Sequence, residues 1–243
     1  MTTSIINTTS TVFTPQEKRR NSLMNKLLSP LPEYDLCLPD SPDRQEVEAF
    51  TQKRFEDTYG ATIREFYPVI LTMRCFDNLS GTSGMRVASQ QALFLEHYLD
   101  KPVESLLSEK LNTLVQRQSI VEIGNLVSTQ RGASHLLFLL FTSLLHQAGH
   151  EWICFTATQA LRNNLSKLGF EFTFLGDAEP NKLDAKSVED WGSYYANKPQ
   201  VLVGNLKGAM AVIQSRPLFR RVYRLYRHRI NYLAREFRAT RHA

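Results

Sequence analysis

SIVEIGNLVSTQRGASHLLFLLFTSLLHQAGHEWICFTATQALRNNLSKLGFEFTFL, residues 119–175, decides the architecture of this 243-residue chain. Its opening, 119–127, is apolar and β-branched and predicts a strand, with Glu122 and Asn125 as two polar oddities inside it. The turn 129–134 then opens a helix over 133–148. That helix is apolar nearly all round, which predicts burial against a sheet. Gly149 stops it, and 152–156 (WICFT) is the next strand. Strand, helix and strand in such close succession form a βαβ unit, so the two strands should be parallel neighbours joined by a right-handed crossover. A second helix, 158–168, should end with Gly169 in a left-handed C′ position, followed by a strand over 170–175.

Upstream, residues 1–30 hold many Ser and Thr and one basic knot, Lys18-Arg19-Arg20, and read as a flexible arm. Prolines 30, 32, 39 and 42 frame a short strand at 36–38. Ser41 is the expected N-cap of a helix in which Val47, Phe50, Arg54 and Phe55 keep helical spacing and Gly60 ends the run. Residues 66–76 predict a strand, 77–89 a Gly- and Ser-rich loop carrying Arg86, and 93–98 and 103–114 short helices. A last strand falls at 201–204. The expected organisation is an arm (1–30), an α/β domain (31–215) and a C-terminal helix (216–243), with no repeat at periods of 20–50 residues.

Composition excludes several classes. With 42% hydrophobic and 22% charged residues the chain is neither disordered nor collagenous. At this length roughly 70–75% of the extended surface is buried on folding, enough for a large core. Three scattered cysteines argue against a disulfide-stapled secreted domain and for a reducing compartment. His146 and His150 lack the Glu a zinc-binding helix would set between them, so no metal site is expected. No apolar run matches a secretory signal or a membrane span, which points to the cytoplasm. The net charge of +5 is uneven: residues 216–243 hold nine Arg against Glu236 alone, a net +8, so the remainder carries −3.

Two features of the central unit carry chemistry. The turn Gln130-Arg131-Gly132-Ala133-Ser134 presents backbone N–H groups at a helix amino end, where the dipole favours a phosphate, although any βα turn uses small residues. Glu122 sits in an apolar strand, and a buried carboxylate is costly unless paired or protonated. It is therefore either a general base or substrate anchor, or one half of an ion pair with Arg86 or Arg74.

Residues 157–170 (ATQALRNNLSKLGF) resemble the fourth helix of GNAT-type N-acyltransferases, which ends in Tyr-x-Lys-Leu-Gly-Phe. The resemblance implies a GNAT-like mixed sheet flanked by helices. It also implies an acyl-CoA or acyl-carrier-protein donor whose phosphate or pantetheine meets Gln130, Arg131, Gly132, Ala133, Ser134, Thr158 and Asn163 or Asn164. The general-acid Tyr of that ending falls at Leu165 and is missing. Autoinducer synthases, GNAT relatives that use acyl-carrier protein, also lack it and carry a strand Glu that Glu122 resembles. Across residues 45–206, the phrases LFLEHYLDKP (93–102), EIGNL (122–126), FTAT (155–158) and WGSYY (191–195) resemble the thermostable hemolysin family. That resemblance implies haemolysis by an undefined mechanism, and release by a non-classical route if the toxin reading holds.

In the tail, Phe219, Tyr223, Tyr226, Ile230, Leu233 and Phe237 recur at steps of four and three, flanked by Arg220, Arg221 and Arg224. Such a basic amphipathic helix either packs its stripe on the body or lies on an anionic or host-cell membrane surface; nucleic acid is the least favoured partner. Two functions are compatible with these features: a membrane-active haemolytic protein, or a GNAT-like acyltransferase with Glu122 as base or anchor.

Overall fold

A computed structural model describes residues 31–129 and 133–240. Among the described residues seven strands pair into one sheet in the order β1-β2-β3-β4-β5-β7-β6. They are β1 (Glu33–Cys37), β2 (Val69–Cys75), β3 (Asn78–Val87), β4 (Ile120–Ser128), β5 (Trp152–Ala157), β6 (Thr173–Asp177) and β7 (Gln200–Asn205). Six of their runs are rich in β-branched, aromatic or Leu residues, which suit a pleated and buried surface. β4 and β5 are the parallel pair, in register Ile120↔Trp152 to Ile123↔Phe155, and the other neighbours are antiparallel. The seven described α-helices are α1 (Arg44–Tyr59), α2 (Val103–Leu111), α3 (Ala133–Gln147), α4 (Gln159–Lys167), α5 (Ala185–Asp190), α6 (Leu206–Ser215) and α7 (Pro217–Ala239). The sheet and its helices belong to one unit beginning at Glu33.

Alternation along the strands divides the core in two. On one face Leu71, Met73, Met85, Val121 and Ile123 pack against α3, α6 and α7. On the other, Ile120, Cys154 and Val203 pack under Leu95, Leu107 and the turns around them. The crossover helix α3 is buried from Leu137 to Leu145, as its unbroken apolar run requires. The stripe of α7 closes that side. Ile230, Leu233, Ala234 and Phe237 are at most 1% exposed, and Phe219, Tyr223 and Tyr226 pack at the margin of the same core. No described helix is long and apolar enough to cross a membrane.

Three expectations are corrected and one helix is added. Residues 77–89 are not a loop: 78–87 form β3, with Ser80, Thr82 and Ser83 buried. Its glycines make room for neighbours. A Cβ at Gly81 would lie 2.6 Å from Leu137 Cδ1, and one at Gly84 would lie 2.6 Å from Tyr67 Cγ. Ser41 does not cap α1, which starts at Arg44 after Asp43; the Ser41 hydroxyl instead accepts from Leu38 N–H at 2.8 Å. The helix expected over 103–114 stops at Leu111, where Asn112 turns left-handed at φ +50°. Between β7 and the tail helix lies α6, an element the sequence pattern does not announce, capped by Asn205 through Gly208 N–H at 2.9 Å. Gly60 and Gly169, at φ +67° and +84°, end their helices as expected.

Candidate active site

β4 and β5 stay paired only as far as Ile123↔Phe155, although β4 runs on to Ser128. The cause is visible on the other side of β4. Its register with β3 jumps from Thr82↔Val127 to Gly84↔Gly124, so Asn125 and Leu126 together oppose Ser83. Asn125 takes φ +49°, a left-handed value that Asn tolerates better than most residues. Such a bulge bends its strand and re-aims the residues beyond it. The strands splay, and a cavity of about 310 Å³ opens in the gap. Its walls come from both faces of the sheet: Phe138 and Phe141 from α3 on one side, Phe55, Tyr59, Trp191 and Tyr194 on the other.

Glu122 lies in the wall of this cavity and is 2% exposed. Each carboxylate oxygen has its own main-chain donor: Leu95 N–H to Oε1 at 2.8 Å and Phe94 N–H to Oε2 at 3.0 Å. Arg86 Nη1 stands 3.9 Å from Oε2, and the Tyr67 phenol lies beside the carboxylate. Of the two ion-pair candidates, Arg86 is therefore the neighbour. Arg74 instead binds Glu46 at 2.9 Å and Asp43 at 3.0 Å. Burial raises the Glu122 carboxyl above the ordinary carboxylate range, against the pull of the two N–H groups, Arg86 and Tyr67. Burial and the nearby carboxylate push the Tyr67 phenol well above its ordinary value.

The two N–H donors are held by a network of their own. Phe94–Tyr98 form a 3-10 turn. Glu96 ties it down by accepting from Leu93 N–H at 3.2 Å and Val103 N–H at 3.0 Å. Arg117 grips Glu96 at 2.7 and 2.9 Å and Glu104 at 2.6 Å. The phrase LFLEHY thus builds a donor pair for a strand carboxylate 27 and 28 residues away.

Of the donor-site residues read from sequence, Ser134, Thr158 and Asn164 line the cavity together with Glu122. Thr158 also caps α4. Ala133 is buried outside the lining, and Asn163 turns outward to accept from Gln159 Nε2 at 2.9 Å. Gln130, Arg131 and Gly132 lie outside the described residues. Leu165, at the position of the missing phenol, is a buried wall residue. In the tail Arg220, Arg221 and Arg224 are exposed on α7. Tyr223 and Tyr226 are half-buried, and the Tyr226 ring meets Tyr34 edge-on at 5.0 Å. None of the five lines the cavity. The aromatic walls and Tyr67 are not evident from sequence. Their one signal is the density of rings in FYP (66–68), LFLEHY and WGSYY.

A seven-stranded mixed sheet, opened between its parallel strands and flanked by helices, defines a GNAT-like fold. The chain belongs to the thermostable hemolysin family, whose model matches residues 37–210. Among solved structures it is similar to FeeM, an N-acyl amino acid synthase from uncultured soil microbes, at 14% identity and a TM-score of 0.52 over 78% of this chain and 98% of that one. It is also similar to TofI in an apo form, at 9% identity and a TM-score of 0.52, covering 77% and 99%. The AHL synthase LasI matches at 11% identity and a TM-score of 0.50, covering 72% and 90%. At these identities the likeness is one of fold. No curated protein matches the chain in sequence.

Proposed function

We propose that this chain is an N-acyltransferase that moves a long acyl group from an acyl-CoA or acyl-carrier-protein thioester to an amine. The observation that carries the reading is a buried carboxylate, held by two main-chain donors, in the wall of an aromatic cavity that splits the sheet. Such a cavity suits an apolar chain, and a carboxylate with a raised pKa suits the removal of a proton from an attacking amine. Beyond Ile123 the main chain of β4 has no β5 partner, so it is free to pair with the amides of a pantetheine arm. Ser134, Thr158 and Asn164, near the amino ends of α3 and α4, would take the donor's phosphate end. The solved FeeM, by its description, makes N-acyl amino acids. An acyl chain on an amino acid is an amphiphile, so the product itself accounts for the haemolysis that the family's name implies. The test is to incubate the purified chain with dodecanoyl-CoA or dodecanoyl-acyl-carrier protein and the twenty amino acids. Mass spectrometry should find N-dodecanoyl products, and those products should lyse red cells. Lysis by the protein with no donor present would refute this reading.

A second reading concerns the outside of α7. Leu218, Leu225 and Tyr232 are 68%, 53% and 42% exposed at seven-residue intervals, beside Arg220, Arg221 and Arg224. We propose that this flank rests on an anionic lipid surface, with the buried stripe staying in the core. Flotation with phosphatidylglycerol vesicles should recover the protein at low salt and lose it at high salt, and phosphatidylcholine vesicles should not recover it.

A further inference from the structure

Acyl transfer from a thioester must also deliver a proton to the departing sulfur, and the helix position that would supply a phenol holds Leu165. Four phenols line the cavity, and among them the Tyr59 ring packs edge-on against Tyr194 at 5.3 Å. The Tyr98 hydroxyl is engaged by Tyr195 at 2.5 Å, and the Tyr194 hydroxyl donates to the Thr156 carbonyl at 3.5 Å. The Tyr67 phenol instead stands beside the Glu122 carboxylate, and both line the cavity. Tyr67 comes from the segment between α1 and β2, and its ring lies across β3 and β4 where Gly84 faces Gly124. A Cβ at Gly84 would come 2.6 Å from the ring, and one at Gly124 would collide with the hydroxyl itself. The Arg86 guanidinium covers the ring at 4.9 Å from its centroid. Two glycines below and one arginine above therefore hold this phenol in a single place, between the buried carboxylate and the cavity.

We propose that Tyr67 and Glu122 form a proton relay, with Tyr67 the catalytic acid that protonates the leaving thiolate. The inference rests on the acyltransferase reading and adds a residue and a route to it. The amine nitrogen attacks the thioester carbonyl, so that a C–N bond forms and the C–S bond breaks. The proton displaced from nitrogen goes to Glu122. Tyr67 gives its hydroxyl proton to sulfur, and Glu122 returns its own to the phenolate. One proton moves from nitrogen to sulfur, and an amide and a free thiol leave.

The experiment compares Tyr67→Phe with the wild-type chain on two donors, dodecanoyl-CoA and the dodecanoyl ester of thiophenol, with the twenty amino acids as acceptors. With the CoA thioester, kcat should fall by about 10²–10³-fold, the usual scale of general-acid catalysis. With the aryl thioester, whose thiolate leaves without a proton, the fall should be within about tenfold. Equal losses on both donors would mean a structural role and overturn the relay, as would undiminished turnover on the CoA thioester. Should the Phe variant not fold, 3-fluorotyrosine at position 67 keeps the shape and lowers the phenol's pKa. The ratio of kcat on the CoA thioester to kcat on the aryl thioester should then shift from its wild-type value, and an unshifted ratio would overturn the proposal. A wild-type chain inactive on both donors removes the acyltransferase reading and the relay together; an active one indifferent to position 67 removes the relay alone.

Discussion

Replacing Phe237 by Ala tests whether the basic C-terminal helix is a tether or part of the core. Phe237 is 0% exposed and sits on α7 beside Leu233 and Ala234, also at 0%, and Ile230 at 1%. Truncating a fully buried Phe costs about 3–5 kcal/mol, through lost transfer energy and the cavity left behind. For a domain of this size each kcal/mol moves the melting midpoint by roughly 2–4 °C, so the variant should melt about 6–20 °C below wild type in a far-UV circular dichroism scan. Leu225→Ala is the matched control on the outer flank, 53% exposed, and should stay within about 0.5 kcal/mol of wild type. A Phe237→Ala protein that melts with wild type would refute the docked helix. The same arithmetic bears on truncation. Cutting after Ser215 removes Ile230, Leu233 and Phe237, each worth about 2–5 kcal/mol, against a total stability of about 5–15 kcal/mol. It also removes Arg229, which donates to the Tyr34 carbonyl at 2.6 Å and pairs with Asp35 at 2.8 Å. The fragment 1–215 should not fold, and loss of any activity in it would say nothing about membranes.

Glu122→Gln should cost about 1–3 kcal/mol in urea unfolding, because an amide offers one oxygen where Leu95 and Phe94 N–H require two acceptors; a variant as stable as wild type would show that one of those bonds is not made. The pH dependence has a definite sign. The folded state holds the Glu122 proton more tightly than the unfolded chain, so this group's contribution is present in acid and declines as pH rises from the ordinary Glu range through the raised folded value. Wild type should lose stability relative to Glu122→Gln across that window, and parallel curves would contradict it. Arg117→Met should cost about 1–3 kcal/mol, less than a fully buried pair because its side chain is 28% exposed, and should lower turnover by loosening the turn that serves Glu122. Gly84→Ala should displace Tyr67 and reduce turnover while leaving donor binding, read by calorimetry with CoA, within a few-fold.

The parallel unit is legible because its signal is local: an unbroken apolar helix between two β-branched strands can only be a buried crossover. β3 is not legible. Gly81 and Gly84 look like loop residues until Leu137 and Tyr67, distant in the chain, are seen to occupy the space where their side chains would be. The tail shows the limit of periodicity. The stripe from Phe219 to Phe237 does form one face of a helix, yet the same spacing serves a lipid surface or α3, and what covers it is decided by tertiary packing. Glu122 and Asn125 stand out as polar residues in an apolar strand, and both matter, one as the carboxylate and the other as the left-handed point of the bulge. The rest of the site depends on the Gly84↔Gly124 pairing, on a phenol from another segment and on the splay of two strands, and of these only the rings of FYP (66–68) leave a local trace.

The span between Tyr34 and Arg229 has a consequence for synthesis. Their hydrogen bond joins residues 195 positions apart, β6 has β7 as its partner in the sheet, and α3 is covered by α6 and α7. A chain emerging from the ribosome therefore displays the apolar surface of α3 until Phe237 arrives, 90 residues after Gln147. At about 5–20 residues per second that interval lasts roughly 5–20 s. The nascent protein thus resembles an unfinished vessel whose lid is made last, and its yield in a cell should depend on holding chaperones and on translation speed over the final third of the message.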